Sequence, residues 1–232
     1  MTTPPNSNAR FAAAWWEKTV EYAFVRDFMP FAHEAFPLDG NAEKAFGDLI
    51  TKGSEGFRLI EFKATSRDIA SEKEKYPSFQ NPPPDVKDDF HSLLAACEPP
   101  IVKHEGRVAH WLIYGQPIAG ARGFWLEARA YTGVGGPVVP LARLADLQQL
   151  TTVSYDKLLK YLAELERARG SSVGKGTATG TRLMIVGVKG GRMLALTVEE
   201  FRSLYPTAEP KHAMKLGGSN VSSTTRTRRP RP

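Results

Sequence analysis

Cysteine is nearly absent from this chain, because Cys97 is the only one among 232 residues. A single cysteine excludes an internal disulfide and a cysteine-rich zinc site, so nothing indicates an oxidising compartment. Long apolar runs are also absent, and none approaches the roughly eighteen residues that a membrane-spanning helix needs. The N-terminal residues MTTPPNSNAR lack the charged start and apolar stretch of a signal peptide. We therefore expect a cytoplasmic protein with no membrane contact.

Acidic residues are scarce only near the C-terminal end. The formal net charge is +6, and residues 207–232 carry six Lys or Arg against one acid, Glu209, which leaves residues 1–206 near +1. Residues 207–232 are too poor in apolar side chains to fold alone, so we expect a disordered basic tail. Such a tail either binds phosphates non-specifically or serves as a solubilising end, and its composition fits both equally.

The pattern of apolar residues predicts a mixed α/β protein. The predicted elements are a helix at 11–29, strands at 46–51 and 57–65, a helix at 85–97 capped by Asp85, and strands at 107–115 and 123–133. A helix-rich stretch follows, then a flexible linker at 170–180, a hairpin at 182–196, and a short helix at 198–204 with a capping box at Thr197 and Glu200. This order indicates a central mixed β-sheet flanked by helices. We expect a core at 1–135 and, packed on it, a C-terminal helix-plus-hairpin extension at 136–206.

Three ionisable residues lie in the first predicted hairpin, where apolar residues should fill a core. Side chains alternate along a strand, so Glu61 and Lys63 face one way while Ile60 and Phe62 face the other. Antiparallel pairing across the turn brings Asp48 beside Glu61. Two neighbouring carboxylates repel, and burying both is costly unless a cation lies between them. The alternative is an edge hairpin whose charged side chains face solvent.

A divalent metal would remove that cost. Mg²⁺ prefers hard oxygen ligands, so Asp48, Glu61 and the backbone carbonyl of Phe62 suffice to hold it, with Mn²⁺ as a substitute. The ammonium of Lys63 would orient or help deprotonate an attacking water, or offset charge that develops on a phosphate. The set predicts hydrolysis of a phosphodiester.

The first helix supplies another carboxylate. Projected at about 100° per residue, Glu17 falls within the apolar stripe formed by Val20, Phe24 and Phe28. A glutamate in such a stripe is unusual without a partner, so Glu17 is a candidate for an outer acid that positions a metal-bound water or a second ion. Glu21, one turn further on, is a secondary candidate. The alternative places both glutamates on the exposed rim of the helix.

A helix Glu, then an Asp, then Glu-x-Lys on a hairpin resembles the PD-(D/E)XK nuclease superfamily over roughly residues 11–130. The resemblance implies a restriction-endonuclease-like sheet flanked by helices, Mg²⁺-dependent cutting of DNA, less often of RNA, and a role in phage defence or DNA processing. It implies that Asp48 and Glu61 bind metal, that Lys63 assists the water or the transition state, and that Glu17 is the helix acid. Gly47 stands where the family often has a proline.

The sequence therefore predicts a Mg²⁺-dependent nuclease, with DNA preferred over RNA as substrate. Because residues 1–206 are nearly neutral, we expect the tail, a homodimer or a larger complex to supply further phosphate contacts. The alternative is a non-catalytic scaffold subunit with a nuclease fold, which would use its tail and C-terminal hairpin to bind partners.

Overall fold

The computed structural model describes residues 15–29, 34–38, 41–119, 121, 123–133, 136–170, 185–189, 192–196 and 198–204. Its helices are α1 (Glu17–Phe28), α2 (Asn41–Phe46), α3 (Phe90–Cys97), α4 (Leu144–Gln149), α5 (Tyr155–Ala168) and α6 (Val198–Ser203). Its strands are β1 (Glu34–Pro37), β2 (Leu49–Lys52), β3 (Phe57–Lys63), β4 (His110–Pro117), β5 (Phe124–Ala130), β6 (Val139–Leu141), β7 (Ile185–Lys189) and β8 (Arg192–Leu196). Short 3₁₀ helices span Ser66–Lys75, Pro77–Phe79, Pro100–Val102 and Glu105–Ala109.

The fold is α/β, as predicted, and its centre is a six-stranded mixed sheet. The strands lie in the order β1-β2-β3-β4-β5-β6. Only β3 and β4 run parallel, and the other neighbouring pairs are antiparallel. A parallel pair needs a crossover connection, which here contains the Ser66–Lys75 helix and α3. Strand β6, which follows the predicted core boundary at residue 135, is the sixth strand of this sheet.

Both faces of the sheet are covered, so its central strands are buried on each side. One face carries Leu59 and Leu112 and packs against α3 and α5, and the other carries Ile60 and Ile113 and packs against α1 and α4. All seven residues of β3 are buried. Burial on both faces gives near-continuous apolar strands rather than alternating ones. The charged residues of β3 therefore lie inside the protein.

The first helix starts later than predicted. It begins at Glu17 rather than at residue 11, because Trp16 is extended, with φ of −99° and ψ of 163°. The indole N–H of Trp15 donates to the carbonyl oxygen of Ala64 at 2.6 Å, which fixes this segment on the end of β3. Residues 11–14 lie outside the described residues. The start at Glu17 places that side chain at the N-terminal end of α1.

Other predicted boundaries are also wrong. Phe46 is the last residue of α2, a helix that the sequence pattern did not predict, and the strand begins at Leu49. Helix α3 starts at Phe90, where Asp89 accepts a hydrogen bond from the Ser92 N–H at 3.0 Å. Asp85 is not the cap, because Asp89 occupies that position directly before the helix. Strand β6 was not predicted.

The C-terminal hairpin and short helix were predicted correctly as β7, β8 and α6. The predicted linker beyond Gly170, the turn at Gly190 and Gly191, Thr197 and the tail lie outside the described residues. Among the helices that the structure describes, none is long and apolar enough to cross a bilayer.

Candidate active site

Asp48 lies directly before β2, at the edge where β2 meets β3. The register pairs Leu49 with Ile60, so Asp48 lies opposite Glu61 as the hairpin pairing predicted. Its amide donates to the carbonyl of Ile60 at 2.9 Å, and its carboxylate accepts a hydrogen bond from the N–H of Phe62. Backbone hydrogen bonds therefore hold the Asp48 carboxylate on the sheet.

Lys63 contacts two of the predicted acids and one further glutamate. Its ammonium lies 3.2 Å from Glu61, 3.3 Å from Glu17 and 2.9 Å from Glu72. Three carboxylates from α1, from β3 and from the 3₁₀ helix after β3 therefore meet at one cation. Glu17 and Glu61 therefore meet at Lys63, and Asp48 lies opposite Glu61 across the pairing of β2 with β3.

The Phe62 carbonyl lies on the same edge as Asp48. In a strand the N–H and C=O of one residue point to the same side, and the N–H of Phe62 binds Asp48. Glu21, the secondary candidate, is instead paired with Lys18 at 2.7 Å on α1. The negative charge of Glu21 is thus already balanced by a lysine of the same helix.

A carboxylate that the sequence did not indicate joins the site. Glu17, Glu43 and Asp48 each place an oxygen within 4.8 Å of the others, an arrangement that could hold a metal ion. Glu43 comes from α2, and its carbonyl accepts from the N–H of Gly47 at 3.0 Å. The acid in the run NAEKAFGD was the available signal. Glu43 was missed because α2 was not predicted, and only this helix places Glu43 one turn before Gly47, next to the start of β2.

Gly47 allows α2, Asp48 and Glu61 to approach closely. Its φ is +136°, which favours glycine, and a Cβ there would lie 3.2 Å from both Oε2 of Glu61 and the carbonyl oxygen of Ile60. The backbone conformation therefore favours glycine, and a larger residue would also crowd Glu61. This gives a physical reason for glycine at this position.

Three further residues, Glu72, Lys75 and Arg169, complete the charge network of the site, and the sequence did not point to them. Lys75 pairs with Glu61 and, at 2.9 Å, with Glu72. Arg169, at the end of α5, lies 3.4 Å from Glu61 and 3.3 Å from Glu72. Glu72 and Lys75 are in the polar segment SEKEK, where an i,i+3 pair was the only local signal. Arg169 is far along the chain, and nothing local marks it.

The electrostatics of the site separate the acids into two groups. Burial raises the pKa of Asp48 well above its ordinary value, and the neighbouring Glu61 and Glu17 raise it further. Burial opposes ionisation of Glu72 as well, yet Arg169, Lys75 and Lys63 hold its pKa far below the usual range. The negative charge of Glu72 is therefore balanced by these three cations. The negative charge of Asp48 is not balanced, so an additional cation would stabilise the ionised form of Asp48 most.

Lys63 remains an ammonium. Burial alone would lower the pKa of its amine, but Glu61, Glu72 and Glu17 raise it well above the ordinary value. A lysine of this kind does not accept a proton from water near neutral pH. Of the roles that the sequence predicted, the structure favours charge stabilisation over deprotonation of water.

Known proteins provide no match. No protein-family model, no curated protein and no solved structure is significantly similar to this chain. The chemistry of the site is therefore inferred from its own geometry.

The side chains of the site differ in their exposure to solvent. The side chains of Glu61 and Lys63 are 2% and 6% exposed, whereas those of Glu17 and Lys75 are 39% and 27% exposed. The acids of β3 thus form the floor, and Glu17 and Lys75 lie at the rim. A ligand from solvent would meet the rim first.

Behind the site lies a buried aromatic layer that contains His110. His110 stacks on Tyr131 with ring centroids 3.8 Å apart, and its Nδ1 lies 2.9 Å from the hydroxyl of Tyr161. Burial lowers the pKa of His110 well below its ordinary value, and the charge of Arg169 lowers it further, against a smaller opposing effect of Glu72. The imidazole is therefore neutral in the folded protein.

We expect His110 to make stability fall in mild acid. The unfolded chain binds a proton on this ring below about pH 6.5 and the folded chain does not, so stability is lost as pH falls below that value. The slope approaches about 1.4 kcal/mol per pH unit. Urea unfolding at pH 7.5, 6.5 and 5.5 should show a shallower loss for His110→Asn than for the unmodified protein. Equal slopes would contradict the assignment of a neutral buried ring.

Proposed function

We propose that this protein is a Mg²⁺-dependent nuclease, a hydrolase of phosphodiester bonds in DNA. The observation that carries the proposal is the convergence of Glu17, Asp48 and Glu61, from α1, the start of β2 and β3, around the ammonium of Lys63. These acids are distant in sequence, and burying them together is costly in the absence of cations.

The donor set fits a hard divalent ion. Glu17, Glu43 and Asp48 offer carboxylate oxygens within 4.8 Å of one another, and the Phe62 carbonyl faces the same edge. Hard oxygen donors of this kind are those that Mg²⁺ and Mn²⁺ take. A bound ion would supply Lewis acidity toward a phosphoryl oxygen. Glu61, which the sequence predicted as a ligand, lies beside this set and is itself paired with Lys63, Lys75 and Arg169.

Charge balance also supports the proposal. The site contains five carboxylates, and three cations lie against them, which gives a formal charge of −2 with all groups ionised. The members are Glu17, Glu43, Asp48, Glu61 and Glu72, with Lys63, Lys75 and Arg169. One divalent ion would neutralise the set. Without it, the raised pKa of Asp48 indicates that a proton takes part of that role.

The remaining groups have roles that follow from their exposure. Lys63 is buried and charged, so it offsets negative charge that develops on the phosphate during attack. Lys75 and Glu17 lie at the rim, where a nucleic acid backbone would approach. Water is the nucleophile, and we assign its orientation to Glu17, whose side chain is partly exposed.

The fold is consistent with this activity. We propose a restriction-endonuclease-like core that contains residues 1–135 and also β6, the sixth strand of the sheet, with the rest of 136–206 as the extension. The near-neutral chain before residue 207 favours additional contacts from the basic tail, from a homodimer or from a larger complex. We place the protein in the cytoplasm, in phage defence or DNA processing.

A second candidate is a non-catalytic scaffold subunit of a complex that processes nucleic acid. The observation that favours it is the internal pairing of Glu61 and Glu72 with Lys63, Lys75 and Arg169, because such a network can serve as a purely structural core. This network does not, however, balance the negative charge of Asp48.

A cleavage assay distinguishes the two functions. The protein is incubated with supercoiled plasmid, linear duplex, single-stranded DNA and RNA in Mg²⁺, in Mn²⁺ and in EDTA, beside Glu61→Gln and the matched control Glu21→Gln. We expect metal-dependent cleavage of DNA by the unmodified protein and by Glu21→Gln, and loss of at least about 100-fold in Glu61→Gln. RNA cleavage alone would assign an RNA nuclease. Equal traces from all three proteins would support the scaffold.

A further inference from the structure

Arg169 is the most completely enclosed cation of the site. Its Nη2 donates to Tyr131 Oη at 2.7 Å and lies 3.3 Å from Oε2 of Glu72 and 3.4 Å from Oε2 of Glu61. Its Nη1 donates to the carbonyl of Lys44 in α2 at 3.3 Å. One guanidinium thus contacts β3, α2, the 3₁₀ helix after β3 and the end of β5.

We propose that Arg169 is a positioning residue of the candidate site, which holds the Glu61 carboxylate in one orientation. This inference rests on the proposed nuclease function. Arg169 has 1% of its side chain exposed, so it does not reach a substrate and acts only through its partners.

The two oxygens of Glu61 have separate partners, and this separation fixes the carboxylate. Oε2 faces Arg169, and Oε1 faces Lys63 at 3.2 Å and Lys75. Rotation of the carboxylate would break contacts on both sides. Removal of Arg169 would free Oε2 to turn toward the two lysines, and the arrangement of Lys63 and Lys75 around Glu61 would change.

The type of side chain matters at this position. A guanidinium presents several donors in a rigid plane, whereas an ammonium is a point charge on a flexible stem. Arg169 lies between two carboxylates, and its guanidinium carbon lies 5.7 Å from the ring centre of Tyr76 and 5.5 Å from that of Tyr131. A lysine at position 169 would keep the charge and lose the planar contacts.

The position of Arg169 is itself fixed by the end of α5. Gly170 follows with φ of +65°, which ends the helix, and a Cβ there would lie 3.0 Å from Cγ of Pro77. The Arg169 N–H donates to the carbonyl of Leu165 at 2.9 Å. The helix end, and with it the guanidinium, is therefore fitted against the segment that carries Glu72.

The test compares Arg169→Gln and Arg169→Lys with Arg167→Gln, a control whose arginine pairs with Glu164 on the surface. Initial rates give kcat and KM on the preferred nucleic acid, and calorimetry gives the Kd for Mn²⁺. We expect Arg169→Gln to lower kcat about 10- to 100-fold with little change in KM, Arg169→Lys to lie between, and Arg167→Gln to match the unmodified protein.

Stability is separated from positioning by a double variant. Glu72→Gln combined with Arg169→Gln removes both charges, so we expect its melting temperature to recover relative to Arg169→Gln while kcat stays low. If kcat recovers together with the melting temperature, or if folded Arg169→Gln keeps full kcat, the positioning role is wrong and the nuclease function stands. If the unmodified protein neither cleaves nucleic acid nor binds Mn²⁺, the proposed function fails, and the inference fails with it.

Discussion

Asp48→Asn is expected to lower the rate of metal-dependent cleavage by at least about 1,000-fold without destabilising the protein. Loss of a carboxylate ligand removes the several kcal/mol that a divalent ion contributes to the transition state, and each 1.4 kcal/mol is about tenfold in rate. Asparagine has nearly the same shape and keeps an oxygen that accepts from the Phe62 N–H. The loss would therefore come from the charge rather than from packing.

The effect on stability should have the opposite sign. The pKa of Asp48 is raised by burial, by Glu61 and by Glu17, so its ionised form is unfavourable in the folded state and lowers stability as pH rises toward neutrality. A neutral amide removes that cost, and we expect the melting temperature in EDTA to be unchanged or higher than that of the unmodified protein.

Metal titration completes this test. Saturating Mn²⁺ should raise the melting temperature of the unmodified protein, since a ligand at about 100 times its Kd stabilises by about 2.7 kcal/mol, and it should leave Asp48→Asn unchanged. Glu21→Gln is the matched control, because Glu21 pairs with Lys18 on the same helix that carries Glu17. An active Asp48→Asn, or one as metal-responsive as the control, would contradict the placement of the ion.

The residues of the hairpin were predictable because the rule behind them is local. Alternation along β3 and the pairing of β2 with β3 place Asp48, Glu61 and Lys63 together whatever the rest of the chain does. Glu17 was predictable for a related reason, since helical periodicity sets its face. The structure moved the start of α1, but Val20 and Phe24 are buried on the stripe that the sequence predicted.

The other charged residues of the site were not predictable from local rules. Arg169 is separated from Glu61 by 108 residues, and its approach depends on how α5 packs against the sheet. Glu43 was hidden by the short helix α2, whose six residues give little periodicity. Tertiary packing, rather than propensity, decides which distant charges meet.

The sheet order was also beyond the sequence. The parallel pairing of β3 with β4 and the addition of β6 as the sixth strand depend on contacts between segments far apart in the chain. The pattern of apolar residues indicated most of the strands, but nothing in the sequence indicated which strands pair with each other.

Lys63→Met is expected to lower both stability and activity, and the two losses should separate in a double variant. The pKa of Lys63 is raised, so the amine is charged throughout the neutral range and pairs with Glu61 and Glu72 in the interior. Removal of one partner of a buried ion pair costs about 3–5 kcal/mol. At about 2–4 °C per kcal/mol for a chain of this size, the melting temperature should fall by about 6–20 °C.

Lys73→Met is the matched control for this loss. Lys73 lies in the same 3₁₀ helix as Glu72 and pairs with Asp88, whose side chain is 78% exposed. Surface pairs contribute about 0–1 kcal/mol, so we expect little change in stability or rate. A large fall for Lys73→Met would show that the segment responds to any lost lysine.

The double variant Lys63→Met with Glu72→Gln decides between a catalytic and a structural role of Lys63. Removing a carboxylate together with the ammonium leaves fewer unpaired charges, and we expect much of the melting temperature to return. Cleavage should remain low by about 100-fold or more, because the ammonium of Lys63 no longer offsets the charge that develops on the phosphate. If activity returned with stability, Lys63 would have a structural role and no role in catalysis.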